Sequence, residues 1–104
     1  MENDSQYIKE LYIPHPPPPG LYTLFIYGKS GCVRCDELKE MLDFGKIEYT
    51  YINCDEYLSI EKEKFKEVMF EYMKITPIKK ILYFPVCFVN GVYFSSINKF
   101  LYNA

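Results

Sequence analysis

The segment 22–44, "YTLFIYGKSGCVRCDELKEMLDF", constrains this chain more than any other. It opens with a compact apolar run, Tyr22 to Tyr27, set between Gly20 and Gly28. A short aromatic-rich run of that kind predicts a strand buried on both faces. From Cys32 to Phe44 the spacing becomes helical. Cys35, Leu38, Met41 and Leu42 fall on one face, and Gly45 supplies a stop. "IEYTYIN" (47–53) then alternates apolar and polar residues and predicts a second strand. Strand, helix, strand in that order implies a parallel pair joined by a right-handed crossover.

The rest of the chain completes a single sheet. "SIEKEKFKEVMFEYMKI" (59–75) places Phe65, Val68, Met69 and Tyr72 at i, i+3, i+4 and i+7, with Lys and Glu elsewhere. It predicts one amphipathic helix with Ser59 as N-cap and Glu61 in its first turn, its charges forming a solvated face. "ILYFPVCFVNGVYF" (81–94) is two apolar runs around Asn90-Gly91, the strongest short hairpin signal. The tail, with Ile97, Phe100 and Leu101 in helical spacing, predicts a closing helix. The expected fold is therefore α/β, a four-stranded mixed sheet flanked by helices on both faces.

Ahead of the sheet, Tyr7, Ile8, Leu11 and Tyr12 fit one side of a short helix. Pro14 and the run Pro16 to Pro19 follow and favour an extended polyproline segment. That segment reads as a stiff connector or as a ligand for a proline-recognition domain. Residues 1–20 are thus an N-terminal helix and connector, and 21–104 the domain. At 104 residues one core is expected. A net charge of -2 gives no reason to expect a nucleic-acid surface. No run approaches the ~18–20 apolar residues of a membrane span, and the polar N-terminus carries no signal-peptide core. A monomer in the cytoplasm is the expectation.

Four cysteines need explaining: Cys32, Cys35, Cys54 and Cys87. A zinc site wants four ligands, usually as two pairs. Here there is one pair, and the only histidine, His15, sits among the prolines. No metal is expected. A purely structural role for Cys32-Val33-Arg34-Cys35 leaves its place at a helix start unexplained. Redox chemistry explains it. Unsatisfied N–H groups and the helix dipole favour a thiolate there, and Lys29 and Arg34 add nearby positive charge. The second sulfur lies one turn along and belongs to the apolar stripe. Cys32 is thus the expected attacking thiolate and Cys35 the buried resolving thiol. Cys54 and Cys87 read as buried cysteines or as regulatory thiols. Tyr27 reads as core or pocket wall.

With these pieces in place, the chain resembles the glutaredoxin family of the thioredoxin superfamily over about residues 21 to 102. "FIYGKSGCVRC" is similar to the family's strand, lysine and Cys-x-x-Cys, and "YFPVCFVNG" to its proline-containing strand and hairpin. The resemblance implies a thioredoxin-like fold and a thiol–disulfide oxidoreductase. It also implies glutathione as co-substrate with no bound cofactor, and disulfide-containing or glutathionylated proteins as partners. Lys29 matches the lysine that contacts a glutathione carboxylate. Phe84-Pro85 matches the cis-proline position, whose preceding backbone pairs with the glutathione cysteine. Ile97 and Asn98 match the residues that hold the glutamyl end. Arg34 is counted with them, although a solvated role fits it as well.

The departures from the family pattern carry their own expectations. Val33-Arg34 replaces the commoner Pro-Tyr, which restores a backbone donor, adds a charge and favours the thiolate. Leu82 stands where the family has a basic residue, with Lys79 and Lys80 as candidate substitutes. Ser95-Ser96 replaces Gly-Gly. These changes motivate an alternative, a thioredoxin-type carrier of disulfides between proteins with weak glutathione recognition. A glutathione-ligated iron–sulfur cluster bridging two chains is a third reading.

Overall fold

The structure, a computed structural model, describes residues 14–95. The helices expected around Tyr7–Tyr12 and Ile97–Leu101 lie outside the described residues. Strand β1 is Leu24–Gly28, helix α1 Val33–Phe44 and strand β2 Thr50–Asn53. Helices α2 (Asp55–Ile60) and α3 (Lys62–Met73) follow, then β3 (Val86–Val89) and β4 (Val92–Tyr93). The sheet order is β2-β1-β3-β4. β1 pairs in parallel with β2 and antiparallel with β3, and β3 pairs antiparallel with β4. This is the expected mixed sheet with β1 in its middle.

Each face of the sheet has its own helix layer. Leu38 and Leu42 of α1 pack on Ile26 and Cys87. Phe65, Met69, Phe70 and Met73 of α3 pack on Tyr27, Val86 and Phe88 on the other face. Side chains alternate along a strand, so Ile26 and Tyr27 can both be fully buried only because both faces are covered.

Two boundaries differ from the sequence reading. The expected single helix from Ser59 is two helices. Ser59 lies inside α2, and the chain breaks at Glu61, whose φ of -152° and ψ of 87° are extended. The break lets Tyr57 stack on Phe65 with ring centroids 6.2 Å apart. In one straight helix those residues would sit ~12 Å apart along the axis at 1.5 Å per residue. Burial of an aromatic pair has won over helix continuity. Strand β2 begins at Thr50, not at residue 47. Its partner β1 begins only at Leu24, after Tyr22 turns with φ 63°. The N–H of Ile47 is already spent on the Leu42 carbonyl.

The hairpin forms at Asn90-Gly91, with φ of 53° and 79°, the left-handed pair that a two-residue turn requires. Asn90 also accepts a hydrogen bond from the Tyr22 N–H at 2.9 Å, which ties the turn to the start of β1. The proline segment is bound to the domain. Pro16 is fully buried, its carbonyl accepts from the Tyr72 hydroxyl at 2.7 Å, and the Pro17 carbonyl accepts from Tyr27.

Gly28 closes β1 just ahead of the cysteine loop. A Cβ there would lie 2.6 Å from Cζ of Tyr51, against the tyrosine ring of the neighbouring strand. Gly28→Ala should therefore cost about 1–3 kcal/mol through overpacking. Urea unfolding of the reduced protein reads this directly, as a lower midpoint at unchanged slope.

Candidate active site

Cys32 is the N-cap of α1, with φ -98° and ψ 104°. Its Sγ accepts a hydrogen bond from the Cys35 backbone N–H at 3.1 Å, one of the donors that a helix start leaves unpaired. Its sulfur is bonded to Cys35 in a disulfide spanning Cα atoms 5.2 Å apart. Cys32 is partly exposed, whereas Cys35 is fully buried. One sulfur meets solvent, and the other faces the core one turn along. Val33 and Arg34, between them, are exposed on the first turn.

The loop before Cys32 is stapled to the β2–α2 junction. Asp55 accepts from the Ser30 N–H at 2.9 Å and from the Ser30 hydroxyl. Asn53 in turn accepts from the Asp55 N–H at 2.8 Å. The two Ser30 donors, hydroxyl first, hold the Asp55 carboxyl below the usual carboxylate range, with burial opposing and Asn53 and Lys29 assisting. A depressed folded-state value means that the staple is intact at neutral pH. It is released only as pH falls below the ordinary aspartate value of about 3.9.

On the other side of the loop, the Phe84–Pro85 peptide is cis. The ladder between β1 and β3 ends at Tyr27 and Val86, so the backbone groups of Phe84 lie beyond it. An aromatic column fixes the Phe84 ring. Tyr57 stacks on Phe65, Phe65 stacks on Phe84 at 6.2 Å, and Lys29 Nζ caps the column 5.5 Å from the Phe84 centroid. A cation over an aromatic face contributes about 0.5–1 kcal/mol at an exposed position.

Beside the column is a cleft of about 360 Å³, lined by Lys29, Leu58, Lys62, Lys66, Ile81, Leu82 and Phe84. Three of the seven are lysines, and the rest are apolar. Lys66 is only 20% exposed; its ammonium pairs with Glu63 at 3.7 Å and donates to the Lys80 carbonyl at 3.3 Å. A larger cleft of about 890 Å³ between Tyr22, Asp43, Tyr49 and Asn90 contains neither cysteine of the pair.

From the expected set the structure brings Lys29 and Phe84 together in this cleft, with Leu82, the departure from the family's basic residue, beside them. Arg34 stays exposed on α1 and does not line the cleft. Ile97 and Asn98 lie outside the described residues. Lys79 and Lys80 do not line the cleft. Its added cations come from α3, where Lys62 and Lys66 are one turn apart. Sequence reasoning assigned both to a solvated face. The available signal was that they flank Phe65, the most N-terminal apolar residue of that stripe.

Cys54 and Cys87 are fully buried free thiols, and burial pushes both up to about 12. Each is inert at neutral pH. Iodoacetamide at pH 8 should label Cys32 in the reduced native protein and leave Cys54 and Cys87 unmodified until unfolding, as read by mass spectrometry. Because their folded values are raised, their contribution to stability is complete below the free-thiol value of about 8.5. It is lost as pH climbs from there toward 12.

A thioredoxin-like sheet with a dithiol pair at a helix start defines a thiol–disulfide oxidoreductase. The model of the glutaredoxin family matches residues 24–94, and the chain belongs to that family. Comparison with curated proteins and with solved structures gives no match. No helix of the described residues is long and apolar enough to cross a membrane.

Proposed function

We propose that this enzyme is a glutathione-dependent dithiol oxidoreductase that reduces protein disulfides or protein–glutathione mixed disulfides. The observation that carries the reading is the lysine-lined cleft against the cis-proline, on the strand end that leads into Cys32. Glutathione is a short extended peptide with two carboxylates. Lys29, Lys62 and Lys66 match its charge. The backbone of Phe84, beyond the strand ladder, offers a peptide partner to its cysteine. No cofactor is required, because glutathione is itself the reductant.

The reaction starts from the reduced pair. The Cys32 thiolate attacks a disulfide sulfur of the substrate, a Cys32–substrate bond forms, and the other sulfur leaves as a thiolate. Cys35 then attacks Cys32, closing the observed disulfide and releasing the second substrate thiol. Two glutathione molecules restore the dithiol and leave as glutathione disulfide. When the substrate is a glutathione mixed disulfide, Cys32 takes the glutathionyl group, and one further glutathione resolves it without Cys35.

Turnover of a glutathionylated peptide with free glutathione tests this reading. Wild type and Cys35→Ser should both be active. If both are inactive while Cys32 still reacts with disulfides, glutathione dependence is wrong. Leu82 in the cleft supports the alternative, since an apolar side chain sits where a base would strengthen carboxylate binding. A protein-to-protein carrier would then be trapped on Cys32 of Cys35→Ser as a mixed disulfide with its partner.

A further inference from the structure

The last acidic residue of the chain is Glu71; residues 72–104 contain Lys74, Lys79, Lys80 and Lys99 and no Asp or Glu. Three of these lysines, Lys74, Lys79 and Lys80, fall on the segment that runs from α3 to the cis-proline. The same segment exposes its apolar residues. Ile78 is 103% exposed, Tyr83 73% and Ile81 49%. Solitary exposed apolar residues are ordinary, but three within six residues, on the stretch that leads into the cis-proline, are a local concentration.

The segment is held in place. The Ile81 N–H donates to the Lys79 carbonyl at 2.8 Å, making a tight turn, and Lys66 of α3 binds the Lys80 carbonyl. Behind it, Glu63, Glu67 and Glu71 share a second cleft with Lys74 and Lys80, which offsets those two charges. Lys79 is exposed and lines neither cleft. Ile81, two residues on, lines the cleft with Lys29 and Lys62. The outer edge thus runs Ile78, Lys79, Ile81, Tyr83, ending at Phe84-Pro85.

We infer that this edge docks the protein substrate, and that it selects a segment carrying an acidic and an apolar residue next to the reactive cysteine. The inference rests on the oxidoreductase reading and adds the class of substrate. Charge complementarity favours such a partner over the other occupants. A second copy meeting this edge about a two-fold axis would set Lys79 against Lys79. Electrostatic matching of this kind acts mainly on the encounter rate and weakens with salt.

The test uses the reduced full chain with Cys35→Ser and two synthetic peptides, each with one cysteine disulfide-bonded to 2-mercaptoethanol. One peptide has Asp, Glu and Leu around the cysteine; the other has Lys, Arg and Leu. Cys32 bonds to the peptide sulfur, the peptide–mercaptoethanol bond breaks, and the departing thiolate takes a proton from water. Adduct formation is followed by mass spectrometry. At low salt the acidic peptide should react about tenfold faster, and at high salt the ratio should approach one. Ile78→Ser with Lys79→Glu should cut the low-salt ratio at least about threefold. Its rate with bis(2-hydroxyethyl) disulfide should match that of the parent.

Equal rates for the two peptides, or a ratio unchanged by the double substitution, would overturn the docking edge and leave thiol exchange standing. Failure of Cys32 to react with any of these disulfides would overturn both. Pelleting with phosphatidylserine vesicles that the double substitution abolishes would reassign the edge to a lipid surface. A dimer that Ile78→Ser disperses in sedimentation velocity would reassign it to a second copy.

Discussion

Cys32→Ser should lower thiol–disulfide exchange by roughly 10³-fold or more, since a serine hydroxyl is neither ionised at neutral pH nor able to carry the mixed disulfide. Cys35→Ser should behave differently. It keeps the exposed sulfur at the helix start, so single exchange with a glutathione mixed disulfide should survive. Reduction of a two-cysteine protein disulfide should stall at the Cys32–substrate intermediate. Parallel assays with a glutathionylated peptide and a protein disulfide separate the two outcomes. Comparable loss on both substrates in Cys35→Ser would contradict the division of labour between an exposed and a buried sulfur.

The same site should acidify Cys32, and magnitudes decide what that achieves. A thiol of pKa about 8.5 is roughly 3% ionised at pH 7, so full ionisation gains about 30-fold in thiolate. Intrinsic nucleophilicity falls as pKa falls, with a slope of about 0.4–0.5, so a drop of three units costs a similar factor. Attack is nearly unchanged. The gain appears when Cys32 is the leaving group, as Cys35 or glutathione displaces it. The pH profile of Cys32 alkylation should therefore show an inflection below pH 7. An inflection near 8.5 would show that the Cys35 N–H, the helix start and Lys29 leave the thiol unperturbed.

The parts of this fold that were legible in the sequence are those written in adjacent residues. Tyr22 to Tyr27 announced the central strand to within two residues, Asn90-Gly91 the hairpin, and the Cys35, Leu38, Leu42 stripe the buried face of α1. What was missed depends on residues far apart in the chain. Ser30 and Asp55 are 25 positions apart and share no periodicity, so their staple could not be read. The break at Glu61 is set by Tyr57 finding Phe65, a tertiary contact that helix spacing alone argues against. Lys62 and Lys66 looked solvated because their helix is amphipathic, yet the cis-proline segment folds over one edge of that polar face and makes it a cleft wall.

The proline segment supplies the other large expected effect. Removing residues 1–20 should destabilise the domain by about 2–4 kcal/mol. Two tyrosine–carbonyl hydrogen bonds are lost at about 1 kcal/mol each, and the apolar surface that Pro16 covers returns to water at about 25 cal/mol per Å². For a domain of this size each kcal/mol moves the melting temperature by about 4–8 °C, so a fall of roughly 10–25 °C is expected. The reduced and oxidised proteins should both show it, because the segment is held by the Tyr27 and Tyr72 hydroxyls. Tyr72→Phe should reproduce only a fraction of the loss, since it deletes one hydrogen bond and leaves Pro16 buried. If the segment were a free connector, the truncated and full-length chains would melt together. An unchanged melting temperature would therefore contradict the two tyrosine contacts as stabilising features of the fold.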